Sequence, residues 1–178
     1  MNTLKLWLTG SLAMLLSSCS SAPIQSYQDE KPVLDVSQYF MGTIDGYGMF
    51  QDRSGKVVKR FHVVINAHWD NNIGTLDEHF TWSDNTTSQR IWTITKFDAH
   101  HYQGTAADVV DAAQGTAYGN ALQWRYVLQL PVDGKVYNVN IDDWMYQIDE
   151  SSLMNRSKMS KFGFHLGDIT LYFKKRSA

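Results

Sequence analysis

From Phe40 onward, aromatic and β-branched residues alternate with polar ones, and turn-forming residues recur roughly every ten to fifteen positions. Such alternation puts successive side chains on opposite faces of a strand, and no long stretch keeps the 3.6-residue period of a helix. The pattern predicts strands over roughly 43–52, 57–69, 75–83, 89–98, 101–110, 117–131, 136–148, 153–160 and 162–174. Their connections are short, among them Asp52–Lys56, Asp84–Thr87, Asp111–Gly115 and Asp133-Gly134. Short connections favour antiparallel neighbours, and a small all-β domain with few or no helices loses its unpaired edges by closing. The expected fold is an antiparallel up-and-down β-barrel of about 8–10 strands, occupying residues 40–176. A β-sandwich is the alternative.

The N-terminus obeys a different logic. Lys5 precedes an apolar run from Leu6 to Leu16, and Leu16-Ser17-Ser18-Cys19 ends on the chain's single cysteine. A charge, a short apolar run and small residues form the order of a secretory signal, too short to span a membrane as a mature helix. The residues before Cys19 resemble the lipobox of bacterial lipoproteins, which implies cleavage after residue 18 and a diacylated Cys19. Removing residues 1–18 leaves 178 − 18 = 160 residues, one domain's worth, without a thiol for a disulfide. Ser20 after the cysteine resembles the sorting signal to the outer membrane of a Gram-negative host, with the domain facing the periplasm. Residues 19–39, with early serines, two prolines and Asp29-Glu30-Lys31, have no apolar period and are expected to be a flexible tether. The formal net charge of −2 argues against bulk electrostatic attraction to nucleic acid or to an anionic membrane. Lys174-Lys175-Arg176 reads as a solvated chain end.

Asp133-Gly134 is the clearest local signal. As a two-residue type I′ turn it pairs Val132 with Lys135. Counting outward sets Leu128 opposite Val139, Tyr126 opposite Ile141, Trp124 opposite Asp143 and Leu122 opposite Met145. Arg125 then meets Asp142 on the other face, in an ion pair of about 0.2–1 kcal/mol. Asp143 is left among apolar neighbours, where a carboxylate is costly unless it is paired or protonated. A turn near Thr86 would put Phe80 opposite Trp92 and Glu78 opposite Ile94, with Glu78 and Arg90 meeting diagonally. A turn near Gln114 would put Asp108 opposite Asn120, Gly104 opposite Trp124 and Tyr102 opposite Tyr126, with Gly104 giving the indole room.

The expected ligand-binding set is therefore Glu78, Arg90, Trp92, Tyr102, Asn120, Trp124, Tyr126 and Asp143. It makes an aromatic wall with a few polar groups, the composition of a small-molecule pocket, although such a face also serves as plain core. No metal or cofactor is expected. His100 and His101 point to opposite faces, and His62 and His68 lie roughly 20 Å apart along one strand. The sequence holds no nucleophile elbow, phosphate loop or zinc-protease helix.

Phe40-Met41-Gly42, Gly48–Gly55, Leu76-Asp77-Glu78-His79-Phe80, Arg90-Ile91-Trp92, Tyr102–Ala106, Gly119–Trp124, Asp142–Tyr146 and Lys161-Phe162-Gly163 together resemble a family of bacterial lipoproteins that carry a domain of unknown function. The resemblance implies an envelope lipoprotein with a lipocalin-like or calycin-like barrel. The early Gly-x-Trp of true lipocalins is absent, since Gly46 and Gly48 flank Tyr47. Three functional readings follow. The first is a monomeric barrel, held on the membrane by Cys19, that binds a fatty acid or other apolar or amphipathic molecule. The second is a non-enzymatic scaffold of the envelope with a filled core. The third is an isomerase or hydrolase using Asp143 as general base, which has less support in the sequence.

Overall fold

The computed structural model describes residues 22–177, so the signal segment and Cys19 lie outside the described residues. Ten strands form one closed antiparallel barrel: β1 (Gly42–Asp52), β2 (Val57–Asp70), β3 (Ile73–Trp82), β4 (Thr87–Lys96), β5 (His101–Thr105), β6 (Val109–Tyr118), β7 (Ala121–Val132), β8 (Lys135–Gln147), β9 (Ser152–Lys161) and β10 (Phe164–Lys175). Each strand pairs with its neighbours in sequence, and β1 closes on β10 from Ile44 opposite Lys175 to Asp52 opposite Gly167. The up-and-down barrel expected from alternation is the observed fold. Among the described residues no helix is long and apolar enough to cross a membrane.

The β7–β8 register is the one the Asp133-Gly134 turn dictates, from Val132 opposite Lys135 through Trp124 opposite Asp143 to Leu122 opposite Met145. Two other hairpins differ from expectation. The β3–β4 turn is tighter, so Glu78 sits directly opposite Arg90, and Trp92 faces Leu76. The shift is an even number of residues, which keeps every side chain on its expected face. The segment 101–131 holds three strands instead of two. Asp111, expected in a connection, adopts φ 57° inside β6 and makes a bulge between Val110 and Gln114. A turn-forming residue thus bends a strand without ending it. Gly104 still lies beside Trp124, because its indole spans β6. A Cβ at Gly104 would come within 2.5 Å of that ring, and one at Gly115 would collide with it.

The tether expected over 19–39 is, where described, a plug. Ile24, Leu34, Val36, Tyr39 and Phe40 are buried. Tyr27 packs on Trp144 and Tyr146 at ring distances of 6.0 and 5.6 Å. Leu34 N–H donates to Gly119 O at 2.8 Å. The short helix α1 (Val36–Tyr39) is capped by Asp35, which accepts from Ser37 N–H at 2.9 Å and is held by Lys96 at 2.8 Å. Trp69 Nε1 donates to Phe40 O at 2.9 Å and Tyr39 Oη to Ser151 O at 3.1 Å, so the plug is sewn to the barrel end. The apolar residues were too sparse to show a period, yet each fills the mouth of a ready-made barrel. The basic cluster is likewise tied down: Lys175 Nζ donates to Gln38 O at 2.6 Å, and Arg176 pairs with Asp45 at 2.6 Å.

Gly119 is the seam of this plug. Its φ of 51° belongs to the left-handed region, and a Cβ there would collide with the Tyr27 carbonyl. Gly119→Ala is expected to cost about 2 kcal/mol or more through both effects. It should lower the thermal midpoint and raise amide exchange over residues 24–34; unchanged exchange there would show that the plug is not held at this point.

Candidate functional site

The inner wall alternates as the strands dictate. β3 contributes Leu76, Glu78 and Phe80, β4 Arg90, Trp92 and Ile94, β7 Leu122, Trp124 and Tyr126, and β8 Asp143 and Met145. Between these walls lies a cavity of about 130 Å³, floored by Val36 and Phe40 of the plug. Trp92 sits edge-on to Trp124 and Tyr126, at ring distances of 5.9 and 5.5 Å. Phe61 and Phe80 continue the aromatic wall toward the end away from the plug.

Six of the eight expected residues line this one space: Glu78, Arg90, Trp92, Trp124, Tyr126 and Asp143. Two do not. Tyr102 is buried in the core near the plug, with Lys96 Nζ 6.0 Å from its ring. Asn120 belongs to the β6–β7 turn, where its Nδ2 donates to Gln147 O at 3.2 Å. Both were assigned through the Gln114 turn, and both leave the cavity when that register is corrected. Asn155 and Ser157 of β9 join the site instead. They occupy inward positions between Leu153 and Met159, so a polar pair on an otherwise apolar face was their only signal.

Asp143 is the polar centre. Asn155 Nδ2 and Ser157 Oγ both donate to its Oδ1, the latter at 2.9 Å. No donor among the described residues reaches Oδ2. Burial pushes its carboxyl up to about 6, against the lowering effect of those two hydrogen bonds. Glu78 is pushed up to about 7, chiefly by burial, with Arg90 opposing and the charges of Asp108 and Asp143 assisting. The sequence pattern expects Glu78 to meet Arg90 diagonally. Asp108 occupies the guanidinium instead, through Nε at 3.0 Å and Nη2 at 2.6 Å. Glu78 stands 4.0 Å from Nη1, near enough for attraction but beyond a hydrogen bond. Burial alone would lower the guanidinium, but Glu78 and Asp108 keep it charged. The Tyr126 phenol is raised by burial and by Asp143, so it stays protonated.

The site is therefore acidic on balance: one guanidinium, already bridged to Asp108, stands among Glu78 and Asp143. On the outer face Asp142 takes the structural role expected, accepting from Gln123 Nε2 at 2.6 Å and from Arg125 at 3.4 Å. The histidines are outside the site. His62, His79, His101 and His165 pair with Asp45, Asp77, Asp98 and Asp168 at 2.9–3.1 Å. Among the described residues no cluster of three or more His, Cys, Asp or Glu could hold a metal ion.

Fold and site together define a closed ten-strand barrel of lipocalin-like shape with a small acidic, aromatic-walled interior. The chain belongs to the family described as "Protein of unknown function (DUF3833)", whose model matches residues 13–175. No curated protein matches it. Among solved structures it is similar to an S-type phycobiliprotein lyase from Guillardia theta, with a TM-score of 0.58 over 82% of this chain and 95% of that one. Identity is 8%, so what the two share is the fold.

The buried carboxyls make stability depend on pH in a defined direction. Glu78 has a raised folded-state pKa, so the folded chain holds its proton when the unfolded chain has lost it. The resulting stabilisation is present below the ordinary value of 4.5 and is lost as pH rises through about 7. Glu78→Gln should remove this loss, worth about 1–3 kcal/mol. The thermal midpoint of the wild type should fall between pH 5 and pH 8, and that of Glu78→Gln should fall less. Parallel pH profiles would mean that Glu78 is not buried as described.

Proposed function

We propose that this protein is a lipoprotein held on the outer membrane by an acylated Cys19, whose barrel binds a small amphipathic molecule. The observation that carries the binding reading is the cavity, where apolar rings surround Glu78, the Tyr126 hydroxyl and Asp143, a buried carboxyl whose Oδ2 accepts no hydrogen bond from the described residues. Buried polar groups are ordinarily partnered, and a ligand headgroup is a suitable partner. The scaffold alternative expects a filled barrel, which a cavity of about 130 Å³ does not favour. That space matches a ring or a short alkyl chain, on the scale of the benzene held by a dry cavity of about 150 Å³.

Electrostatics sharpens the ligand class. An ionised fatty acid would meet Glu78 and Asp143 with the only guanidinium already bridged to Asp108. A neutral or cationic head that donates hydrogen bonds, such as an alcohol or an amine, suits these groups better; a fatty acid fits only when protonated. Short-chain amines and alcohols should quench or shift Trp92 and Trp124 emission in the full chain at lower concentration than the matching carboxylates at pH 7.5. Asp143→Asn should weaken amine binding about tenfold or more, and Trp124→Ala should release any molecule that co-purifies in native mass spectrometry. Tighter binding of the carboxylate than of the amine would sink the acidic-site reading.

A second reading retains one specific support. Two carboxyls with pKa values of about 7 and 6 in one cavity suit general acid–base chemistry, and the similar barrel from Guillardia theta is named a lyase. The anchor is tested separately. The mature N-terminal peptide should carry acyl chains on Cys19, and Cys19→Ser should leave an unprocessed chain that retains residues 1–18; an unmodified cysteine in the mature peptide would remove the anchor.

A further inference from the structure

Among the described residues the most exposed large apolar side chains sit at the barrel end away from the plug, on the tip that joins β9 to β10. Phe162 is 85% exposed and Phe164 74%. Lys161 pairs with Phe164 across a two-residue turn, and Phe162 takes its first position with φ 51°. That position ordinarily favours Asn, Asp or Gly, because a bulky side chain is strained there. A phenyl ring held outward on a left-handed backbone serves neither the turn nor the core.

The neighbouring hairpin reinforces it. Pairing of β8 with β9 begins at Asn140 opposite Ser160, so the β7–β8 tip projects beyond it, with Val136 62% exposed. Lys161 lays its ammonium over the rings of Tyr137 and Phe162 at 5.0 and 5.3 Å. Rings on convex tips with lysines able to lift their charge outward are the pattern of an interfacial membrane contact. The plugged end also exposes apolar residues, among them Val33, Ile73, Phe97 and Ile148, but its one exposed phenyl ring, Phe97, is less exposed than Phe162 or Phe164 and adjoins Asp98.

The chain outside the described residues points the same way. Ala22 lines a groove on the outer wall of β8 and β9 that runs from Tyr146 and Arg156, nearer the plugged end, to Asp142 and Lys158. Two residues, Ser20 and Ser21, separate Ala22 from Cys19, a span of at most about 11 Å. Lys158 lies four residues before Phe162, about 13 Å along a strand. An acyl chain on Cys19 would thus enter a bilayer beside the β8–β9 wall, whose far end is the aromatic tip.

We infer that the β9–β10 tip, with the β7–β8 tip beside it, is a membrane-contacting surface that lays this end of the barrel on the bilayer carrying the anchor. One support is the Cys19 anchor proposed above; the exposed tip is independent of it.

The test uses the full acylated chain in phosphatidylethanolamine–phosphatidylglycerol vesicles. Phe162→Cys and, at the plugged end, Glu150→Cys are each labelled with bimane and quenched with doxyl lipids. Both positions are exposed, and at 162 the apolar bimane ring stands in for the phenyl it replaces. Quenching at 162 at least about fivefold that at 150 is the expected result. Equal quenching, stronger quenching at 150, or none at either would overturn the inference, and the last outcome would point to a protein partner for the tip. A second bimane on an unblocked Cys19 would expose failure of the anchor separately. The two labels are then compared in a chain that begins at Ser20, which keeps the whole barrel and plug but lacks both the anchor and the apolar leader, with vesicles in excess, where the same ratio at 162 and 150 decides the surface alone.

Discussion

Closure of β1 on β10 is the constraint on which everything else depends. A sheet of ten strands that meets itself has no edge to protect, but it encloses a volume that its side chains must fill. The chain fills it unevenly. Near the plug, Trp124 reaches across β6 over Gly104 and Gly115, Trp92 stands against it, and the segment from Leu34 to Phe40 enters from below. Farther along, inward positions are given to Glu78, Arg90, Asp143, Asn155 and Ser157, which do not interdigitate as apolar groups do. The cavity lies where these two fillings meet.

Polar groups on an inner wall act on one another more strongly than they would on the surface. Burial raises both Glu78 and Asp143, and the charges of Asp108 and Asp143 raise Glu78 further. Arg90 would relieve them, but Asp108 from the β5–β6 turn holds it through two nitrogens. The interior therefore keeps an acidic balance close to neutral pH. A chain selected only for stability would be expected to place apolar residues at such positions. Here the two carboxyls face a space, which ties the unfavourable burial to the part of the molecule best suited to meet a ligand.

How much was legible depended on the range of the signal. Alternation and turn residues are local, so the strands, the barrel class and the β7–β8 register could be read directly. With that register came Asp143 beside Trp124 and the outward Asp142–Arg125 pair. Glu78 and Arg90 reached the right wall despite a wrong turn centre, because an even shift preserves the face. Tyr102 and Asn120 were misplaced for the opposite reason: Asp111 carries a turn signal but makes a bulge, so one strand was missed and the faces around it were assigned through the wrong partner. Asn155 and Ser157 became visible only when β9 was paired with β8.

The sequence by itself determined the all-β class, the closing number of strands within narrow limits, and the apolar–polar division of the walls, since each follows from a two-residue period and the chemistry of turns. It also set out the lipobox-like order at Cys19, a linear pattern that needs no fold to be read. Tertiary structure decided that residues 24–40 are a plug and not a tether, that Asp108 claims Arg90, and that the cavity survives between filled layers. Those outcomes depend on which distant residues closure brings together and on the volume left between them. Neither quantity is encoded in any local run of residues.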